Sequence, residues 1–392
     1  MTNTLYLAWR YLAFHRWKTA ILVLSVTLII FLPVGLNVLV EESATQLTAR
    51  AASTPLVVGA KGSRLELTLN SLYFDGAIPT PLDFSEAAKL RATGLAQSIP
   101  LNVRFHVRSQ PVVGTTLDYF RFRGLSVASG RPLVTLGEAV LGAAAARELG
   151  VGVGDAVISS PETVFDLAGV YPLKMQVVGI LAPTMTADDN AVFVDLKTSW
   201  IMQGLGHGHQ DLQAPEAAAN VISSSDNEIV ANAAVVQYNE ITTENINSFH
   251  FHGSDTAFPL TAVLAIPNDQ KSGVLLLGRF EGDEFASQIV RPADVIAELL
   301  GTVFTVRQFV VFAVAVVGIA TLATTILVFL LSLRLRRRER LTLFKIGAAR
   351  PAVNAILMAE VIGVIVVSGV LATGLTLATR AYGADVIRLF LA

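Results

Sequence analysis

Cysteine is absent from this 392-residue chain, which excludes disulfide staples, thiolate zinc sites and a thiol nucleophile. An extracytoplasmic domain that avoids oxidative chemistry is compatible with that absence but is not implied by it. Charge is scarce as well: Asp, Glu, Lys and Arg make up 15% of the residues, against roughly 25% in an ordinary soluble domain. The net charge of −2 leaves no global field to attract nucleic acid or an acidic substrate. Catalytic signatures are missing too. No G-x-x-x-x-G-K-[ST] loop occurs, so the chain carries no P-loop for ATP, and neither G-x-S-x-G nor H-E-x-x-H is found. The run "GVGVGD", Gly150 to Asp155, has the wrong spacing for a nucleotide loop and reads as a turn. The expectation is a non-catalytic chain.

Hydrophobic residues, by contrast, reach 53%. Thr19 to Val40 holds no charged residue and is long enough to cross a hydrocarbon core as a helix. Pro33 and Gly35 within it are tolerated in membrane spans. The run exceeds a usual signal-peptide core and lacks a small-x-small exit before Glu41, which favours a retained anchor over a cleaved signal. Gln308 to Leu333 is also uncharged and rich in Ala, Gly and Thr, as suits close helix packing. A third candidate runs from Val353 to Thr379, with Glu360 as its one charge and nineteen uncharged residues after it. Gly363, Ser368, Gly369 and Gly374 give it a small-residue side. Glu360 reads either as a proton-relay acid or as a structural, interfacial one, and its place near the span's end favours the second.

The stretch "LRLRRRERLTLFKIGAARPAV", Leu333 to Val353, holds seven basic side chains and one acid, Glu339, between two apolar runs. Lys and Arg gather in cytoplasmic loops near span ends, so this loop is cytoplasmic, as is the chain start with Arg10, Arg16 and Lys18. The expected division is 1–18 as a cytoplasmic amphipathic helix, 19–40 as span 1 and 41–306 as an extracytoplasmic α+β domain. Span 2 then covers 307–333, a cytoplasmic loop 334–352, span 3 353–379 and a short outer tail 380–392. The fold class is thus a membrane protein with three predicted helical spans and a large α+β domain between spans 1 and 2.

Within 41–306, strand-like and helix-like pieces alternate. "TPLVVGAKGSRLELTLNSLYF" reads as two β runs around Lys61-Gly62-Ser63, and "NVRFHVRSQPVVG" as a half-buried strand. "GEAVLGAAAARELGVGVGDAV" reads as a strand, an Ala-rich helix ending at Gly150 and a turn into another strand. "KMQVVGILAP", "NAVFVDL", "AAVVQYNE", "TAVLAI" and "SGVLLLGRF" look like further strands. Gly204 to Asn227 has the composition of a loop or lid, and Arg291 to Gln308 has helical periodicity running into span 2. In "YFRFRG", Phe120 and Phe122 interleave with Arg121 and Arg123 like a nucleic-acid surface, but on an outer membrane face an alternating strand is the better reading. No nucleic-acid partner is expected.

Four of the six histidines form two H-x-H pairs, His207 with His209 and His250 with His252. In extended backbone, residues i and i+2 point to one side, so each pair presents two imidazoles together. Asp211 and Asp255 lie close by in sequence, and nitrogen with carboxylate is a reasonable zinc set. Solvent-exposed loop histidines are the bland alternative.

Three stretches resemble FtsX-like, or MacB/LolC-like, permease subunits of ABC transporters. The start "LYLAWRYLAFHRWKTAILVLSVTLII" is similar to their amphipathic helix and first span. "GRPLVTLGEAVLGAAAARELGVGVGDAV…MQVVGILAPTMTADDNAVFVDL" is similar to the core of their periplasmic domain. "RRRERLTLFKIGAARPAVNAILMAE" resembles their loop bearing R-R-x-E-x-x-x-x-K/R-x-x-G-A and a Glu entering the next span. Together these cover about half the chain. The resemblance implies a bacterial inner-membrane, multi-pass subunit with its large domain on the periplasmic side. Its implied partners are a separate ABC ATPase, which holds the ATP and Mg, a second permease copy or paired permease, a periplasmic protein, and membrane lipids. It implies that a short cytoplasmic helix docks into the ATPase. Arg338, Glu339 and Lys345, with Arg350, would then supply rim charges, and Leu341, Leu343 and Phe344, with Ile346, an apolar anchor. Gly347, followed by Ala348, would end that helix, and Pro351 would start the next. Taken on charge alone, the loop is a positive-inside, lipid-contacting segment.

The family's fourth span has no counterpart, because the twelve residues after Arg380 cannot cross a bilayer as a helix. A three-span variant and a shortened chain both fit, and how a transmembrane dimer interface is completed stays open. Two rival functions remain: a zinc-linked transporter or sensor using the H-x-H pairs, and a scaffold regulating a cell-wall enzyme. Lipid, lipoprotein and peptide are the cargo classes that the resemblance implies.

Overall fold

A computed structural model describes residues 2–161, 172–209, 221–225, 228–231, 238–281, 287–335, 341–342, 345, 347 and 349–391. The chain divides into a helical unit, Met1–Leu47 with Glu298–Ala392, and an outer unit, Thr48–Ala297. In chain order the elements are α1 (Thr2–Phe14), α2 (Arg16–Ala52), β1 (Leu56–Ala60), α3 (Arg64–Tyr73), β2 (Leu82–Asp83) and α4 (Phe84–Ala92). Then come β3 (Ala96–Val107), β4 (Gln110–Thr115), α5 (Leu117–Arg123), β5 (Val127–Gly130), β6 (Glu138–Leu141), α6 (Ala143–Leu149) and β7 (Ala156–Ile158). β8 (Lys174–Leu181), β9 (Val192–Asp195), α7 (Leu196–Met202), β10 (Gly206–Gly208), β11 (Val221–Ser225) and β12 (Glu228–Ala231) follow. The rest are β13 (Phe249–Phe251), β14 (Pro259–Leu260), β15 (Ala262–Pro267), α8 (Gln270–Glu281), β16 (Ser287–Val290), α9 (Pro292–Leu335) and α10 (Arg350–Leu391).

Among the described residues, three helices are long and apolar enough to cross a membrane: Arg16–Ala52, Pro292–Val328 and Val353–Tyr382. The expected spans 19–40 and 353–379 fall inside the first and third of these, while 307–333 runs past Val328 but stays within α9. α1 packs on α10, where Leu12 meets Gly363 at the position a side chain would fill. Ser368 donates to the Val23 carbonyl at 3.1 Å, and Thr27 reaches the Ser368 carbonyl at 3.5 Å. Small residues thus serve close packing as expected, though at Gly363 and Ser368; around Gly369 and Gly374 the space is open.

In the outer unit, ten strands among the described residues form one mixed sheet, ordered β16-β1-β15-β3-β4-β9-β6-β8-β5, with β7 also on β8. The β4–β9 and β6–β8 pairs are parallel and the other pairs antiparallel. Among the described residues, two hydrophobic clusters serve it. One gathers Phe105, Val112, Leu141, Met175 and Val194; the other gathers Leu56, Leu90, Trp200, Leu260 and Leu276. α7 bridges them, giving Trp200 to one and Ile201 and Met202 to the other. The expected strands at β1, β6, β8, β9 and β15, the helix α6 and the turn at Gly150–Asp155 are present, while "NVRFHVRSQPVVG", read as one strand, is the antiparallel β3–β4 hairpin turning at Arg108–Ser109.

Several expectations are corrected. The second half of "TPLVVGAKGSRLELTLNSLYF" is the helix α3. Its period-two leucines suggested a strand, but the Ser63 hydroxyl accepts from the Glu66 amide, a cap that starts a helix and buries Leu67, Ser71 and Leu72 on one face. "YFRFRG" is the helix α5, not a strand: Asp118 sits in its first turn, pairs with Arg121 three residues on, and Gly124 closes it in a left-handed conformation. "SGVLLLGRF" is the helix α8, started by the Asp269 carboxylate accepting from the Ser272 amide at 2.7 Å. Ser272, Leu276 and Phe280, four apart, are its buried positions. The supposed loop at Gly204–Asn227 contains β10 and β11. Most of "AAVVQYNE" lies outside the described residues. By contacts the outer unit comprises Thr48–Ala297, and residues 380–391 continue the helix α10.

Candidate functional site

The coupling loop is only partly described. Arg338, Glu339, Leu343, Phe344 and Ala348 lie outside the described residues; Leu341 and Lys345 are exposed. Gly347 has φ +93°, a conformation that suits glycine and ends a helix, and α10 starts three residues later with Pro351 in its first turn. Glu360 lies on α10 with 2% exposure, one turn before the Gly363 position that receives Leu12.

Sequence reading missed a polar cluster at the end of α2. Arg50, in the last turn of α2, grips Asp188 with both guanidinium tips, Nη1 to Oδ2 at 2.7 Å and Nη2 to Oδ1 at 2.9 Å. Nη2 also donates to the Tyr119 hydroxyl at 3.0 Å, which itself donates to Asp188 Oδ1 at 2.7 Å, and Nε donates to the Leu72 carbonyl. Arg50, Tyr119 and Asp188 are 7%, 0% and 2% exposed, so the pair is closed from water. Burial alone would raise the Asp188 carboxyl; hydrogen bonds and charge from Arg50, with the Tyr119 hydroxyl, overcome this and hold it below its ordinary value. Arg123 adds bonds to Thr54 Oγ1 at 2.8 Å and Ser53 Oγ at 3.2 Å, just past the helix end. α2, α3, α5 and the Asp188 turn are thereby tied at one point. A lone arginine at the end of a long apolar helix was the available signal.

The "G-R" of the periplasmic-core pattern also has a structural reason. Arg131 forms a two-pronged pair with Glu138, the first residue of β6, whose carboxylate further accepts from the Val134 and Thr135 amides at 2.8 and 3.1 Å. Gly130 precedes it with φ +80°, and a Cβ there would sit 2.2 Å from the Val178 carbonyl. Burial would raise the Glu138 carboxyl, but Arg131 and the two amides outweigh it and bring it down to about 2. Because the folded value is depressed, this carboxylate stabilises above the ordinary Glu range and loses its contribution as pH falls from there toward 2. Arg131 is half exposed, so solvent screening limits what the pair contributes. Glu138→Gln should flatten the stability loss between pH 5 and pH 3, measured by denaturant titration; an unchanged slope would sink the assignment.

All four paired histidines come together. β10 and β13 pair antiparallel with His207 opposite His250, and ring centroids stand 4.9 Å apart for His207–His250, 5.1 Å for His209–His250 and 4.8 Å for His207–His252. Nitrogen atoms of His207, His209 and His250 lie within 4.8 Å of one another. Burial and the three neighbouring imidazoles lower the pKa of His207, favouring its neutral form. Asp255 is outside this group, and Asp211 lies outside the described residues.

A mixed-sheet domain inserted between apolar helices defines the class: a membrane protein with an α+β extracellular domain. The MacB-like periplasmic core domain family matches residues 19–237, more than half of the sequence, and the chain belongs to it, as an FtsX- and MacB-like permease of the ABC transporter kind. No curated protein matches the sequence. Among solved structures, the periplasmic region of MacB from Actinobacillus actinomycetemcomitans is 13% identical over 63% of this chain and 92% of that one, with a TM-score of 0.33. The extracellular domain of the noncanonic ABC-type transporter YknZ from Gram-positive bacteria is 13% identical over 60% and 99%, with a TM-score of 0.31. A domain of a putative permease protein from Porphyromonas gingivalis is 10% identical over 60% and 85%, with a TM-score of 0.26.

Proposed function

We propose that this chain is a non-catalytic bacterial inner-membrane subunit that passes the motion of a separate ATPase to its outer domain. Closure of the ATPase pair would move the loop around Arg338 to Ala349. The helices would carry that motion outward, with no central pore for cargo. Two copies, or this chain with a paired permease, would form the working unit, and the task would be extraction or export of a lipid, lipoprotein or peptide, with a periplasmic partner receiving it.

One observation supports this reading above the others. α2, which contains the first apolar span, ends in the fully hydrogen-bonded Arg50 pair with Asp188. A buried, two-pronged ion pair resists shear better than apolar contact alone, because its geometry is fixed in both distance and angle. That suits a helix end that must transmit force.

The first test is mild-detergent purification from native membranes with mass spectrometry of what accompanies the chain. A stoichiometric P-loop ATPase is the expected result. Its absence, repeated under cross-linking, would overturn the coupling assignment and favour a scaffold role.

A further inference from the structure

The sequences "GHGH" at Gly206–His209 and "FHFH" at Phe249–His252 are two halves of one device. The antiparallel register sets Gly206 opposite Phe251 and Gly208 opposite Phe249. A Cβ on Gly206 would meet the Phe251 ring at 2.7 Å, and one on Gly208 the Phe249 ring at 2.5 Å. The glycines therefore make room for the two rings, which pack against the hydrophobic cores of the outer unit. Alternation then sends every histidine to the opposite face. Apolar packing on one side fixes the sheet; imidazoles fill the other.

The spacing of those imidazoles fits one ion. With zinc–nitrogen bonds of about 2.0–2.1 Å and the metal in each ring plane, tetrahedral ligation puts neighbouring ring centroids about 5.2 Å apart. The separations within the His207, His209 and His250 set are 4.9, 5.1 and 5.8 Å, and His252 stands 4.8 Å from His207 and 4.9 Å from His250 at the edge of that set. Nitrogen atoms of His207, His209 and His250 lie within 4.8 Å, against about 3.3 Å in a closed tetrahedral set, a gap that ring rotations on a fixed backbone can close. The tautomer of His250 is suited as well. Its Nδ1 stands 3.1 Å from the Ser248 carbonyl, which can only accept, so Nδ1 carries the proton and Nε2 presents its lone pair.

We propose that His207, His209 and His250 form a binding site for one late first-row divalent metal ion in the outer domain, with the adjacent His252 turning in as the fourth ligand. Nitrogen donors without carboxylates disfavour calcium and magnesium, which require oxygen ligands. Zinc takes such a set in tetrahedral form and is the probe of choice. Bound there, the ion cross-links β10 to β13, two short strands separated by 40 residues of sequence between Gly208 and Phe249.

The test uses the full chain in detergent, purified without a polyhistidine tag, stripped with chelator and titrated with zinc by calorimetry. One zinc per chain is expected. His207→Ala with His250→Ala should weaken binding by at least about 100-fold, and His252→Ala by about tenfold or more, as loss of ligands does. Cobalt loading of the wild-type chain should give the intense visible bands of a tetrahedral site, a readout that depends on no variant folding. Zinc binding well below one per chain, affinity unchanged in the double variant, or weak octahedral cobalt bands would each overturn the proposal. No ATPase partner enters the experiment, so its failure leaves the coupling assignment untouched.

Discussion

Asp188→Asn is expected to destabilise the outer unit by about 3–5 kcal/mol, because it leaves the Arg50 guanidinium buried without its counter-charge. In a domain of this size, that should lower the melting temperature of the full chain in detergent by roughly 10 °C. The loss is not the net worth of the ion pair. Arg50→Met combined with Asp188→Leu removes both charges together and should recover most of the stability, since a buried pair often exchanges for apolar packing at little cost. The sign with pH follows from the direction of the carboxyl shift. Asp188 is held below its ordinary value, so its contribution is present above the usual Asp range, near 3.9, and disappears as pH falls through the folded value. A change under about 1 kcal/mol for Asp188→Asn would show that the cluster is not the anchor argued above. The double apolar variant has a second use. If it melts like wild type yet no longer couples ATP hydrolysis to transport, the polar geometry matters for force transfer and not for folding.

Phe344→Ala with Lys345→Ala is expected to abolish stimulation of the partner's ATP hydrolysis while leaving the melting of the outer unit unchanged. Truncating an aromatic anchor in a docked interface costs about 2 kcal/mol or more, roughly a thirtyfold loss of affinity. Removing the adjacent cation costs orientation and association rate. These positions precede Gly347 in sequence and lie outside the outer unit, Thr48–Ala297, so a destabilised outer unit would point to general misfolding. Normal stimulation by the double variant would refute the docking assignment and leave the basic loop as a lipid-contacting, topology-setting segment.

Sequence patterns served best where burial follows a single period. β6, β8, β9 and β15 were legible because runs of Val, Ile and Leu bounded by turn residues have few alternatives. The errors at α3, α5 and α8 share a cause. Each is short, and in each an apparent alternation or apolar run competed with a cap: Ser63 for α3, Asp269 for α8, Gly124 for the end of α5. A single capping bond that organises the first turn outweighs a period-two coincidence over a few residues.

By itself, the sequence determined the three apolar helices, the inserted domain and the family pattern from Gly130 to Asp195, because hydrocarbon solubility and local turn chemistry depend on neighbours in the chain. It also presented two H-x-H pairs without any means of joining them. Only tertiary structure decided that these pairs face each other, since their meeting depends on a strand register set by Phe rings fitting over Gly206 and Gly208. The Arg50–Tyr119–Asp188 cluster was likewise undecidable from sequence. Its members lie 69 residues apart in each step, and their affinity for one another arises only once the surrounding core has removed the water that would otherwise satisfy each of them.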